Sequence, residues 1–170
     1  TYRASTAQDT TETVTAQTAN GVSQTVDITL TGPRVKSVTV SSGSPNVIAD
    51  GASYTQIFVT VEDTSGAVPD GTAVAFTTTA GTLSLVTTTS DGVATARLTS
   101  STNRGNATVT ATSGGMSDYV VVEFVAGPPE KVSVSANPGN LTANGTSTST
   151  ITVTVLDVND NPVADGSTLT

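Results

Sequence analysis

The sequence predicts an all-β fold built as an array of antiparallel β-sandwich repeats. Three observations predict it. The chain repeats itself: residues 36–61 read KSVTVSSGSPNVIADGASYTQIFVTV, and residues 130–155 read EKVSVSANPGNLTANGTSTSTITVTV. Ile57 returns as Ile151, an offset of 151 − 57 = 94 residues, and a period that long is one domain per repeat. Short runs alternate apolar and polar residues with period two, the pattern of half-buried strands. No segment sustains a helical period, and the abundant Thr and Val are β-branched and suit a pleated surface.

Within the complete unit, Val35, Val38 and Val40 open the first strand, and Pro45 and Asp50-Gly51 punctuate the stretch after it. Residues 54–62 place Ile57, Val59 and Val61 on one face and Phe58 on the other. Asp63–Gly66 and Pro69-Asp70-Gly71 are turns. Val74 and Phe76 alternate next, then Leu83 and Leu85 after Gly81. Ser90-Asp91-Gly92 marks a hairpin, because Asp-Gly readily takes positive φ. Ala94, Ala96 and Leu98 share a face; Ala107, Val109 and Ala111 form the next strand; Gly114-Gly115 turns; Val120, Val122 and Phe124 close the unit. About seven short strands with turns this regularly spaced are the pattern of an Ig-like sandwich. The full expectation is therefore tandem Ig-like antiparallel β-sandwich repeats, with a thin core of Ala, Val and Leu in which Phe76 and Phe124 are the largest side chains.

The repeat sets the expected boundaries. Residues 34–128 form a complete unit, 1–33 the C-terminal half of the preceding one, and 129–170 the N-terminal half of the next. The links, Thr31-Gly32-Pro33 and Ala126-Gly127-Pro128-Pro129, are short and proline-stiffened, which favours a rod. Strands of this length imply roughly 30–40 Å of reach per unit. The two half-units are complementary parts of one sandwich, so they are expected to be completed by continuation of the chain or by another copy through strand complementation.

Composition narrows the function classes. Fourteen acidic against six basic residues give a net charge of −8 with no basic patch, which argues against nucleic acid and anionic membranes as partners. Histidine and cysteine are both absent, which removes His-assisted nucleophiles, thiol chemistry and a disulfide framework. No apolar run is long enough to span a membrane as a helix. Lys36 and Lys131 each sit at the start of a unit beside a link, unsuited to catalysis or to a buried isopeptide bond. Glu62 and Asp63 stand at a strand end among turn residues and read as a solvated turn. No catalytic residues and no organic cofactor are expected.

One stretch has metal-ligand character. Asp157, Asn159, Asp160 and Asn161 offer the hard oxygens that suit Ca²⁺, and ITVTVLDVNDNP imitates a cadherin-type calcium junction. The repeat places the stretch elsewhere, because its counterpart at residues 61–66 lies in mid-unit. The expectation is a polar turn inside a unit, away from the domain junction, with a weak calcium site as the second reading. Asn106, Asn140 and Asn144 begin glycosylation sequons; Asn144-Gly145 aligns with Asp50-Gly51, so a turn explains it without sugar.

The order of these motifs resembles the bacterial Ig-like (Big-1) repeats of the invasin and intimin group. The residues that carry the resemblance are Ala49-Asp50-Gly51, Val59-Thr60-Val61 followed by Asp63, Val68-Pro69-Asp70-Gly71 leading into Val74-Ala75-Phe76, Ala80-Gly81-Thr82-Leu83, Thr88–Ala94 and Gly105–Ala111. They span nearly all of the complete unit. The resemblance implies extracellular tandem repeats in the stalk of a bacterial cell-surface adhesin, which space a distal binding tip from an anchor. The competing expectations are a ligand-binding module for glycan or a host protein, with Tyr54, Phe58 and Tyr119 as its aromatic contacts, and an accessory repeat of a secreted enzyme or phage tail protein.

Overall fold

A computed structural model describes residues 10–30, 34–64, 66–85 and 87–163. The Gly32-Pro33 link and the Leu85 side chain lie outside the described residues. The chain divides into two compact units, Thr1–Arg34 and Val35–Thr170. In the first, β1 (Thr10–Gln17) and β2 (Ser23–Leu30) form an antiparallel hairpin from Thr10↔Leu30 to Gln17↔Ser23. Its turn is closed by Thr18 N donating to Val22 O at 2.8 Å.

The second unit carries the sandwich. Its strands are β3 (Ser37–Ser42), β4 (Asn46–Ile48), β5 (Tyr54–Asp63), β6 (Gly66–Ala67), β7 (Ala75–Thr78), β8 (Thr82–Leu85), β9 (Val93–Thr99), β10 (Gly105–Ser113) and β11 (Met116–Val125). One sheet has the order β3-β5-β9-β8, with β6 paired to β5; the other has the order β4-β11-β10-β7. All pairs are antiparallel except β4 with β11, which is parallel. The first strand region thus serves both sheets: β3 pairs in one, the chain bends at Gly43-Ser44-Pro45, and β4 joins the other. Pro45 has no N–H to donate, but it lies in the bend between β3 and β4, and its carbonyl still accepts Glu123 N at 2.8 Å.

The core lies between the sheets and follows the alternation of the sequence. β5 alternates strictly over Thr55–Val61, burying Thr55, Ile57, Val59 and Val61. Across the ladder Ile57 faces Ala96 and Val59 faces Ala94, so bulky and small side chains alternate. The opposite sheet contributes Ala107, Val109, Ala111, Val122 and Phe124. Burying each valine- or leucine-sized side chain stabilises the fold by about 1.5–3 kcal/mol. Phe124 is 1% exposed, whereas Phe76 is only half-buried, because it sits on the short edge strand β7. Phe58 points outward. Gly81 is required where it stands: its φ is +72°, and a Cβ there would run into the Thr99 carbonyl and approach the Phe124 ring to 2.9 Å.

Buried polar groups are paired. Thr55 Oγ1 accepts Ser44 N at 2.9 Å, Ser113 Oγ donates to Ala73 O at 2.7 Å, and Thr89 Oγ1 donates to Pro69 O at 3.1 Å. Among the described residues no buried side-chain nitrogen or oxygen lacks a partner. The free edge of β3 is met by Asp118 of β11, whose Oδ2 accepts Val40 N at 2.9 Å. An inward-turned carboxylate of this kind blunts an otherwise sticky edge.

After the sandwich, β12 (Lys131–Asn137) and β13 (Thr150–Leu156) form a second antiparallel hairpin. Its register copies that of β3 and β5: Ser37↔Glu62 becomes Lys131↔Leu156, both shifted by 94 (131 − 37 and 156 − 62). Lys131 therefore matches Ser37, one position out of step with Lys36. Val132, Val134, Ile151 and Val153 are exposed, whereas their counterparts Val38, Val40, Ile57 and Val59 are buried or half-buried.

Candidate functional site

The most organised polar cluster is the turn after β13. Asp157 N donates to Asn161 O at 2.9 Å and Asp160 N to Asp157 O at 3.2 Å, closing a five-residue loop. Asp160 takes φ +66°, a left-handed conformation that a short polar side chain tolerates. The loop wraps the Asp157 carboxylate. Oδ1 accepts Asn159 N at 2.8 Å and Asn161 N at 2.9 Å, and Oδ2 accepts Asn161 Nδ2 at 3.0 Å.

The loop then fastens to the end of the sandwich. Gly127 N donates to Asp157 Oδ2 at 2.9 Å. Asn161 Oδ1 accepts Arg104 N, and Asn161 Nδ2 donates to Thr102 O, both at 2.9 Å. That pattern fixes which end of the amide is oxygen. Arg104 Nη1 donates to Pro162 O at 2.6 Å, and Asn159 Nδ2 to Ala49 O at 3.1 Å. Asp157 and Asn161 are 1% and 5% exposed. Outside this seat, Lys131 Nζ pairs with Asp160 Oδ1 at 2.6 Å.

Burial pushes the Asp157 pKa up, but the Asn161 amide and the N–H groups of Gly127, Asn161 and Asn159 outweigh it and hold the carboxyl at about 2, below the ordinary 3.8. Both Asp157 oxygens and the Asn161 side-chain oxygen thus accept N–H donors. Calcium would have to displace those donors to bind there, while Asp160 is engaged by Lys131. Among the described residues no group of three or more acidic, His or Cys side chains gathers to hold a metal.

The stretch is a turn, and its side chains reach the segment that follows β11. It belongs in chain order to the segment after Pro129, yet it folds back against Gly127 and the loops at Ala49 and Thr102–Arg104. Its receptor consists almost wholly of backbone groups, which leave no mark in a sequence. The Asp-Asn pattern signalled a polar turn and gave no sign of what it would grip.

A second carboxylate organises a neighbouring loop. Asp50 accepts Ala52 N at 2.8 Å, Ser53 N at 2.6 Å, Ser53 Oγ at 2.7 Å and Ser100 Oγ at 3.3 Å. The Ser53 hydroxyl, then the Ser53 and Ala52 N–H groups, lower its pKa to about 2 against a small desolvation effect, with Ser100 adding to the lowering. Asn144 repeats the motif, accepting Thr146 N at 3.0 Å and Ser147 N at 2.8 Å, and Gly51 and Gly145 share φ +75°.

The aromatic candidates do not meet. Tyr54 and Phe58 are exposed on the outer face of the β3-β5-β9-β8 sheet, where the Arg97 guanidinium lies 3.7 Å from the Tyr54 ring centre. Tyr119 is exposed on β11, in the other sheet. Glu62 accepts Ser37 Oγ at 3.3 Å at the end of β5, a strand-end contact.

Two sheets in this order, with the first strand region shared between them, define an Ig-like β-sandwich module. The family model described as invasin, domain 3, matches residues 37–127, more than half of the chain, and the chain belongs to that family. The inverse autotransporter adhesin YeeJ of Escherichia coli (strain K12) is 29% identical over 158 residues, covering 90% of this chain and 7% of YeeJ. The crystal structure of invasin, a bacterial integrin-binding protein, superposes with a TM-score of 0.69 at 30% identity, over 93% of this chain and 34% of that one. The Yersinia pseudotuberculosis adhesin InvE matches at 27% identity and a TM-score of 0.50, over 59% of this chain and 29% of that one. The chain thus spans a small part of YeeJ and about a third of the invasin structure. It is an Ig-like module of the cell-surface, extracellular adhesin type.

Proposed function

We propose that this module is a non-enzymatic part of an adhesin stalk, holding a distal binding part away from the cell. The observation that carries the reading is the seating of the Asp157–Asn161 turn. Its hydrogen bonds to Ala49, Thr102, Arg104 and Gly127, with Arg104 also donating to Pro162 just after the turn, fix the direction in which the chain continues past the sandwich. A proline-stiffened link narrows that direction, and a buried polar seat with every group paired fixes it. Residues 1–33, 34–128 and 129–170 are read as the end of one repeat, a whole repeat and the start of the next. The remainder of that third repeat, supplied in cis by the continuing chain or by a second copy, would then cover the exposed Val132, Val134, Ile151 and Val153. Residual dipolar couplings test the reading: the sandwich and the β12–β13 hairpin should share one alignment tensor. Separate tensors for the two would overturn it. Size measurement of the 170-residue chain tests completion by a second copy, which predicts concentration-dependent oligomers.

A second reading is direct recognition of a host partner, as invasin binds integrins. Tyr54, Phe58 and Arg97, together on one exposed sheet face, are its candidate contacts. Loss of cell binding in Tyr54→Ala and Arg97→Ala, with the fold intact, would favour it over the stalk.

A further inference from the structure

The chain reaches the sandwich at one end and leaves it at the other. At the start, Lys36 N donates to Glu62 O at 2.7 Å, and Val35 lies against Gly114 in the β10–β11 turn. At the finish, β11 delivers the chain to Gly127, beside Ile48 at the far end of β4. Because β4 and β11 are parallel, with Asn46↔Glu123, Val47↔Phe124 and Val125↔Ile48, tension along the chain drags them in opposite directions along their own axes. The bonds between them are then loaded together in shear and do not open one after another. Two of them are Glu123 N to Pro45 O and Ala49 N to Val125 O, both 2.8 Å, and buried Val47 and Phe124 keep water from the patch.

The Asp157–Asn161 turn grips the exits of both strands. Asn159 Nδ2 donates to the carbonyl of Ala49, the residue after β4, and the N–H of Gly127, just past β11, donates to Asp157 Oδ2. These contacts tie together the two points that tension would separate. We propose that β4 and β11 form a tension clamp, and that the turn of the following segment staples the clamp shut where the chain leaves it. The proposal deepens the stalk reading, which supplies the tension. A plain sheet-switching strand would show the same topology without directional resistance, so the direction of pulling decides.

The chain has no cysteine, so handles can be attached at introduced ones. Two versions of the whole 170-residue chain are pulled singly. Lys36→Cys with Pro129→Cys loads the clamp in shear. Lys36→Cys with Ser117→Cys pulls from one end and peels the same strands apart. The shear version should rupture at a force at least about twofold higher, since its bonds must fail together. Equal forces overturn the clamp while leaving the stalk reading, which the couplings above test separately. Adding Asp157→Ala and Asn159→Ala should raise the unfolding rate in shear by about tenfold and leave peeling unchanged. No change in shear overturns the staple. Both substitutions lie outside the sandwich, so a folded sandwich remains to be measured.

Discussion

Asp50 and Asp157 do related work with the same chemistry: a carboxylate collects N–H donors that would otherwise be unpaired at a loop. Each is held at about 2, so each contributes stability that is fully present above the ordinary carboxylate value of 3.8 and is lost as pH falls from 3.8 towards 2. Thermal melts between about pH 5 and pH 2 should show a falling melting temperature confined to that acidic window. Asn144 shows that an amide oxygen suffices for the Asp50 role. Asp50→Asn should therefore flatten part of the acid slope while keeping the turn; an unchanged slope would remove Asp50 as a source. Calcium added at neutral pH should leave the melting temperature unmoved, because the Asp157 oxygens already accept N–H groups. Gly81 makes a different demand, on space and on positive φ at once. Gly81→Ala should cost about 3 kcal/mol in chemical denaturation, mostly through the Thr99 carbonyl and the Phe124 ring.

At the scale of elements, β5 shows how a strand face is decided. Ile57 and Phe58 are neighbours, yet Ile57 is 0% exposed and Phe58 is 41% exposed. Ile57→Ala should cost about 3 kcal/mol, while Phe58→Ala should cost under about 1 kcal/mol despite removing more atoms. The reverse ranking, read from denaturation midpoints, would mean that the faces are exchanged. Strict alternation made this strand readable from residues alone, as it did β9, β10 and β11. Two elements were not readable. β4 is three residues long, too short to show a period, and it exists because the bend at Gly43–Pro45 carries the chain across to β11. β6 is a two-residue bridge onto β5 within what reads as a turn. Phe76 was expected deep in the core because sequence shows its parity and not its place at a sheet edge. The polar turn after β13 was legible as a turn; its grip on Ala49, Thr102, Arg104 and Gly127 depends on where the sandwich end falls in space, which no local pattern encodes.

At the scale of the molecule, the two strand pairs β3–β5 and β12–β13 have one register and different surroundings. The first has an opposing sheet against its apolar face, and the second presents that face outward. A two-stranded hairpin alone is marginal in water, so pairing cannot be what holds β12–β13 in place. Among the described residues, the hydrogen bonds that fasten this segment to the sandwich are those of the Asp157–Asn161 turn and its neighbour Pro162. A fragment of residues 129–170 should therefore show little strand signal by circular dichroism, whereas the same residues attached to the sandwich should show amide protection along β12–β13. Asn161→Ala in the 170-residue chain should erase that protection while leaving β5 and β10 protected, because it removes the bonds to Thr102 and Arg104 without touching the core. Protection that survives Asn161→Ala, or a hairpin that folds alone, would show that the strands carry their own stability and that the turn merely rests on them.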